Sequence, residues 1–504
     1  MSTVLVTIEG QGPSGAVTMR LANNAGHIDT DLNVYEPRLI QAGNFERELF
    51  DRGRTLGQSR IGFGEIVVNN ADGDLDYLLD VAFDGRRVTI ARADGPTILI
   101  GTVGGLEFRR REISFRLRDS QALVAARLAV EKTYAGTNSG SAGLEGTADD
   151  WKGQTEPQAF GKVRIAAPPM VNTSRLILQA SHRAVQAIAI DAILDGGASI
   201  TAGANYTTLA DVEATAPSAA TYRAFLGSAN EGAYVRLGSS PARILTASIT
   251  EGATSADRTA AQIMRRVLRL AGLGDGQIAG VAAMDREAPW LCGYWCEPGA
   301  GVRIGTILDA LAASVHGYWI GARDGSVRLG LFRAPAAPAV AEFADWQILE
   351  NGTSIQRVVT ETEGLPVWRV TVKYQRVWQT QSRDQLAGVA LADQERLGNA
   401  YRSIVREDPA IRARHPLAQE LTVETVLDLE ADATALRDVL WALYSVQRDT
   451  FEIAVECRYA AAVELGDTVR LIVPRFGLSR GKLFRVVRIV EDLRANISTL
   501  TLWG

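Results

Sequence analysis

The 504-residue sequence has little of what most enzymes rely on: four histidines, three cysteines and five methionines, against 48 glycines. Few histidines means few general bases and few metal ligands. His27, His182, His316 and His415 are scattered, and none falls in a His-Glu-x-x-His pattern. An odd number of cysteines at scattered positions excludes a disulfide framework. Cys292 and Cys296 form a Cys-x-x-x-Cys pair with no histidine nearby, short of the four ligands of a structural zinc site. Together with Cys457 they read as packed thiols, since free cysteine behaves as a small hydrophobe. No run reaches the roughly 18 unbroken apolar residues of a membrane span. The start, Met1-Ser2-Thr3-Val4-Leu5, has no basic n-region, so no secretory signal is expected. Excess positive charge is also lacking. Lys and Arg total 53 and Asp and Glu 58, a net charge of −5 that argues against a strongly basic nucleic-acid binder.

What is present is strand and turn chemistry. The hydrophobic share, 46%, and the charged share, 22%, are those of globular protein. The length suits about three domains. Up to about residue 130, short runs punctuated by Gly or Asp (3–9, 16–22, 61–69, 87–91, 97–103 and 112–118) predict a β-barrel or sandwich. Residues 131–160, small and Gly-rich, read as a long loop or linker. Strands return over 176–179, 184–192 and 234–237, with Asp195-Gly196-Gly197 as a turn. A helix is expected over 256–271, capped by Ser255, ended by Gly272 and buried along Ala260, Ile263, Val267 and Leu270. A second helix over 304–315 runs into a hairpin turning at Asp324-Gly325. A strand over 367–375, a helix over 431–446 with Ala433, Leu436, Leu440 and Leu443 on one face, and strands over 468–473, 483–491 and 497–503 complete the pattern.

Several motif-like strings have plainer readings. Gly10-x-Gly12-x-x-Gly15 spells a dinucleotide fingerprint, but a strand-like segment follows where a helix must begin, so it is a hairpin turn. Gly477 to Leu483 falls one residue short of a phosphate loop and lacks its hydroxyl. Asn70 to Asp76 alternates oxygen-bearing side chains, but Leu75 and Val81 stand where a calcium loop needs Gly and Glu. Arg109-Arg110-Arg111 with Arg116 and Arg118 is the strongest basic cluster, either a patch for an anionic partner or a solvated or subunit-pairing face. Asp149-Asp150 lacks the opposed geometry of glycosidase carboxylates. The sequence nominates no catalytic, cofactor-binding or metal-ligating residue.

The C-terminal half resembles the baseplate hub, or tail-tip, proteins of tailed bacteriophages. The resemblance lies in the order of three phrases. Ile304-Gly305-Thr306-Ile307-Leu308-Asp309-Ala310-Leu311 is followed by Gly317-Tyr318-Trp319 and Asp324-Gly325-Ser326-Val327. Pro366 to Tyr374 comes next. A closing stretch runs from Glu464-Leu465-Gly466-Asp467 to Leu500-Thr501-Leu502-Trp503-Gly504. Val68 to Asp76, Asp84 to Val88, Asp195-Gly196-Gly197 and Tyr206 to Leu209 are similar to phrases of the same tail proteins.

The resemblance implies a mainly β, multidomain fold with α+β parts, in which two tail-tube-like β-barrels carry smaller inserted domains. The units expected are 1–130 (barrel), 131–250 (Gly-rich loop and small β domain), 251–345 (helix and helix-hairpin module) and 346–504 (second barrel with helices and closing meander). It also implies a non-enzymatic structural protein of the virion tail tip, assembled in the bacterial cytoplasm. Three copies would form a pseudo-sixfold ring around the channel for tape-measure protein and DNA. The partners implied are tail-tube proteins, tape-measure protein and a central fibre or other tip proteins, with no stable membrane insertion and no specific DNA binding. Some related hubs hold an iron–sulfur cluster on four cysteines; this chain has three, and no cofactor is expected. The alternatives are a receptor- or carbohydrate-binding adsorption protein, anchored by exposed Trp and Tyr, and a cell-wall hydrolase. The 131–160 loop is expected to touch neighbouring tail proteins.

Overall fold

A computed structural model describes residues 3–23, 25–50, 60–93, 95, 97–118, 120–349, 356–358 and 364–504. The N-terminal strands Val4–Gly12 and Gly15–Ala22 form a hairpin in which Gly12 faces Gly15 across the two-residue turn Pro13-Ser14. From Gly15–Ala22 and Val4–Gly12 the sheet continues through Arg87–Arg92, Thr97–Phe108, Glu112–Arg118, Glu65–Asn69 and Leu39–Gln41. Residues 36–38 then join its two edges. Ala22 N–H donates to Glu36 O at 2.7 Å, Glu36 N–H to Arg20 O at 2.9 Å, and Asn69 N–H to Arg38 O at 2.8 Å. The sheet therefore curls closed around Val6, Ile8, Ile66, Val68, Val88, Ile90, Ile113 and Phe115. Closure satisfies backbone groups that an open edge would offer to other chains.

The C-terminal sheet is closed by the same device. Its order is Ala341–Ala344, Thr468–Ile472, Lys482–Asp492, Ile497–Trp503, Thr450–Glu456 and Gln356–Val358. After Ala341–Ala344 the chain makes one helical turn and reaches the opposite side, where Leu349 N–H donates to Ala454 O at 2.9 Å and Ile348 bridges Val455. Phe343, Phe451, Phe484, Val486 and Leu500 fill this barrel. The expected meander of 468–473, 483–491 and 497–503 is present with almost those bounds.

Between the barrels in sequence come two five-stranded sheets built from residues 158–251 and 293–296. A helical core follows, made of Ala260–Leu270, Val281–Glu287, Ile304–Val315 and Glu430–Tyr444. The last helix packs on strand Arg369–Tyr374, which Arg402–Glu407 pairs antiparallel and Glu420–Glu424 parallel. The chain is mainly β with α+β parts, organised as two barrels and smaller units.

The structure departs from the sequence pattern at several places: the strand expected over 184–192 is Ile188–Asp195, and Leu270 is only partly buried. The helix expected over 256–271 is two elements: a 3-10 turn Ser255–Arg258, started by Thr254 rather than Ser255, and an α-helix Ala260–Leu270. Thr259 interrupts them, since its extended backbone lets its hydroxyl accept from Gln262 N–H and cap the second element. Gly272 ends it as expected, at φ +88°, with Leu273 N–H bonded to Leu268 O. The strand read over 61–69 is broken at Gly64 into Arg60–Phe63 and Glu65–Asn69, which belong to different sheets. A Cβ at Gly64 would lie 2.6 Å from Asn44 N, so only glycine lets the chain change sheets there. Residues 131–157 form a loop but not a free linker. Tyr134 and Trp151 pack with Val171, Tyr206 and Phe225, and Lys132 and His182 hold buried Glu156 at 2.6 and 2.7 Å.

Barrel closure predicts an asymmetry between neighbouring sites. Phe343→Ala, at 1% exposure in the closing strand, is expected to cost about 3–5 kcal/mol. Val340→Ala, half-exposed three residues earlier, should cost about 0.5 kcal/mol or less. Urea unfolding of the two variants, followed by tryptophan fluorescence, checks this.

Candidate functional site: the junction of the two barrels

The feature with most structural consequence is where the barrels meet. Strand Lys482–Asp492 is longer than either neighbour on one of its sides. Its first half pairs with Thr468–Ile472, and its second half pairs with Asn44–Glu48, from the first 50 residues of the chain. Asn44–Glu48 pairs in turn with Arg60–Phe63. The N-terminal region thus lends a hairpin to the C-terminal sheet. The packing is reciprocal. Leu49 and Phe50 enter the C-terminal core, while Leu493, at the turn after the shared strand, enters the N-terminal core. Arg92 Nη1 donates to Asn496 Oδ1 at 3.3 Å, and Ile100 N–H to Arg323 O at 2.9 Å.

Four charged side chains sit inside this seam. Arg47 Nη1 donates to Glu464 Oε2 at 2.8 Å. Arg323 Nε donates to the other oxygen of Glu464 at 2.7 Å, and its Nη1 reaches both oxygens of Glu491 at 3.0 Å. Arg47 and Glu491 are almost wholly buried. Two cations and two carboxylates leave the set neutral, and burial without that balance would be prohibitive. The two guanidiniums nevertheless respond in opposite directions. Burial lowers the Arg47 pKa, which Glu464 only partly offsets and Arg323 lowers further. Arg323 is also penalised by burial, but Glu491 and Glu464 outweigh it and raise its pKa. Arg323, with two carboxylates, is the centre of the set.

The residues singled out from sequence are placed as follows. Gly10, Gly12 and Gly15 belong to the first hairpin. Gly477 to Gly481 lies between strands Thr468–Ile472 and Lys482–Asp492, and Lys482 and Leu483 begin the second. The same residues spell Gly-x-Ser-x-Gly at 477–481, but a strand rather than a helix follows, so the nucleophile-elbow context is missing. In the Asn70–Asp76 turn, Arg38 binds Asp72 at 2.8 Å and Asp74 at 3.2 Å, and Asn70 bonds Asp76 at 2.8 Å, so a guanidinium occupies that group of oxygens. In the basic cluster, Arg109 pairs with Glu107 at 3.1 Å and Arg116 with Glu65 at 3.1 Å, all partly or largely exposed in the single chain. Asp150 accepts from Thr147 Oγ1 at 2.6 Å within its loop.

Cys292 and Cys296 are buried in the helical core, and burial pushes both thiols up from their ordinary value. Cys457 is buried too, and burial raises its thiol as well. Among the described residues no three His, Cys, Asp or Glu side chains converge on a metal-sized site, so these cysteines do not fit a cluster. His27 packs against Tyr35 and His415 ends the short helix Pro409–Arg414, both half-buried. His316 is buried between Phe332 and Tyr444, with Nε2 2.9 Å from Tyr444 Oη. It ends helix Ile304–Val315 at φ +48°. The junction residues carry no local motif: Arg47 and Glu464 are 417 positions apart.

Two outcomes follow from these charges. Arg323→Ala strands Glu491 in the seam and is expected to cost about 3–5 kcal/mol, whereas Arg323→Met with Glu491→Leu should recover most of it. Chemical denaturation of both variants distinguishes them. Burial, reinforced by Arg333, lowers His316 to about 3. A pKa depressed on folding gives stability that is complete above the unfolded value of about 6.5 and drains as pH falls toward the folded one. Thermal midpoints should therefore fall less between about pH 7 and pH 4 in His316→Asn than in the unaltered protein. Asparagine is the replacement because it tolerates the left-handed backbone.

No protein-family model matches the sequence, and neither does any curated protein. Solved structures do match. A tail protein from Neisseria meningitidis MC58 aligns over 100% of this chain and 97% of its own, at 11% identity and TM-score 0.42. A chain from the virion of a native gene transfer agent particle aligns over 74% and 91%, at 14% identity and TM-score 0.44. The 43 kDa tail protein of prophage MuSo2 from Shewanella oneidensis aligns over 100% and 96%, at 9% identity and TM-score 0.41. In structure, the chain is similar to two tail proteins and a virion chain.

Proposed function

We propose that this chain is a non-enzymatic structural hub of a phage tail tip. Three copies would form a ring with two barrels from each, giving six barrels in pseudo-sixfold arrangement around the channel for tape-measure protein and DNA. The observation that carries this is the pair of barrels within one chain. Each is closed by a segment crossing between its own edges, and the two are locked side by side through strand Lys482–Asp492. A chain built this way presents two similar cylinders at a set spacing, which suits a threefold ring that continues a sixfold tube. The ordered phrases of the C-terminal half, which resemble hub proteins, support the same reading.

The net charge of −5 is compatible with a conduit that does not grip DNA, because tight phosphate binding requires basic neutralisation. We assign function to four units, 1–130, 131–250, 251–345 and 346–504, with 131–160 contacting neighbouring tail proteins. The tail tube and a central fibre or other tip proteins would be its partners, the virion tail tip its place, and the host cytoplasm its site of assembly. No zymogram clearing of peptidoglycan is expected.

Electron microscopy of whole particles, with this chain located by a tag and its copies counted, tests the reading. Three copies at the distal end of the tail are expected, together with a trimeric mass of the purified protein at high concentration. A stable monomer that is missing from purified virions would sink it.

A further inference from the structure

Strand Arg402–Glu407 is the outer member of a three-stranded sheet, and among the described residues one of its sides is unpaired. Its neighbour is Arg369–Tyr374, with Val370 opposite Arg406, Val372 opposite Ile404 and Tyr374 opposite Arg402. Along an extended strand the backbone groups of successive residues point to alternate sides. On the central strand Lys373 turns toward Glu420–Glu424, because Thr425 N–H donates to Lys373 O at 3.0 Å. Val370, Val372 and Tyr374 therefore turn the other way, toward Arg406, Ile404 and Arg402. Asp408 N–H, which donates to Trp368 O at 2.9 Å, keeps the same phase. The N–H and C=O groups of Ser403, Val405 and Glu407 are left pointing away from the sheet. All three residues are exposed, and those backbone groups meet no partner among the described residues. Both barrels close their edges, so this strand stands out as a template for another.

Charge selects what can add to it. At the Glu407 end the carboxylates are engaged: Glu407 pairs with Arg369 at 3.5 Å, and Asp408 accepts from Ala410 N–H at 2.9 Å. At the Arg402 end the strand runs into a groove bordered by residues 375–401. Arg402 and Ser403 line it together with Arg396 and Asn399, and adjoining cavities add Arg164 and Arg383. The guanidiniums of Arg164, Arg383, Arg396 and Arg402 there face the carboxylates of Asp393 and Glu395. Arg396 is held by Asp393 at 2.9 Å and Arg164 by Asp428 at 2.5 Å. Arg402, beside the Tyr374 hydroxyl, and Arg383 have no ion pair among the described residues. The free edge therefore leads toward a positive end, which favours an incoming chain that carries carboxylates. A second copy of this strand fits poorly. In each twofold antiparallel register centred on residues 403–406, an arginine falls opposite or diagonal to an arginine, within reach of repulsion.

We propose that Arg402–Glu407 takes up an acidic, extended segment of another protein as an added β-strand. The backbone of Ser403, Val405 and Glu407 supplies the ladder, and Arg402 and Arg383 receive the carboxylates. Main-chain bonds give such a contact its affinity, and the side chains along the strand give it selectivity. On the outer face, exposed Val405 favours an apolar residue opposite it. The contact goes beyond the hub reading and does not rest on it, because the edge is a property of the single chain.

Fluorescence anisotropy on the full chain tests it, with three labelled decapeptides as probes: Glu-Val repeats, Lys-Val repeats and Glu-Pro repeats. The Glu-Val peptide should bind with a Kd of about 100 μM or below, and about tenfold or more tighter than the Lys-Val peptide. The Glu-Pro peptide carries the same charge but lacks half the N–H groups, and it should not bind. Hydrogen exchange over 402–408 should slow when the Glu-Val peptide is present. Val405→Pro removes an N–H that the fold does not use and should abolish binding with circular dichroism unaltered. Arg402→Glu, an exposed change, should weaken binding about tenfold. No binding of the Glu-Val peptide at about 1 mM overturns the proposal. So does equal binding of the acidic and basic peptides, binding without slowed exchange over 402–408, or binding that survives in both variants. Self-association of the chain that Val405→Pro abolishes, read by sedimentation velocity, overturns it as well, since the edge would then belong to a second copy.

Discussion

The architecture depends on one strand being shared. Lys482–Asp492 completes the C-terminal barrel with its first half and receives the N-terminal Asn44–Glu48 on its second. Backbone hydrogen bonds along a strand have a fixed spacing and direction. Two barrels joined in this way cannot rotate against each other without breaking a row of them. Side-chain packing alone would allow sliding; a common sheet does not. Leu493 in one core and Phe50 in the other add apolar burial at the two ends of the same connection.

The charges in the seam follow from that constraint. Pairing Asn44–Glu48 with 488–492 brings Arg47 into a place where water is excluded, so a carboxylate has to meet it. Glu464 does so, and Arg323 and Glu491 bring the set to neutrality. Such a set adds less to stability than to selectivity, because only the native register brings all four groups together. Gly64 serves the same arrangement from the backbone side, where it lets the chain leave one sheet and enter the other.

Much of the secondary structure was legible in the residues themselves. The first hairpin, the hairpin at Asp324-Gly325, helix Ile304–Val315, helix Glu430–Tyr444 and the closing strands all carry strong period or turn signals. Legibility failed where a single residue's local geometry overrode a smooth pattern, as at Thr259 and Gly64. Arg47, Glu464, Arg323 and Glu491 gave no signal, since an arginine destined for burial looks like any surface arginine until its partner is placed.

By itself, the sequence determined the mainly β character, the turns and the paucity of catalytic side chains, because propensity, period and composition are local properties. It also carried, in the order of its C-terminal phrases, a resemblance to phage tail-tip proteins. Only the tertiary structure decided that two sheets close on themselves by crossing segments, that they share a strand, and that distant charges neutralise one another at the seam. The shared strand is the outcome of pairing between residues more than 400 positions apart, and no local pattern encodes which distant edge a strand will choose.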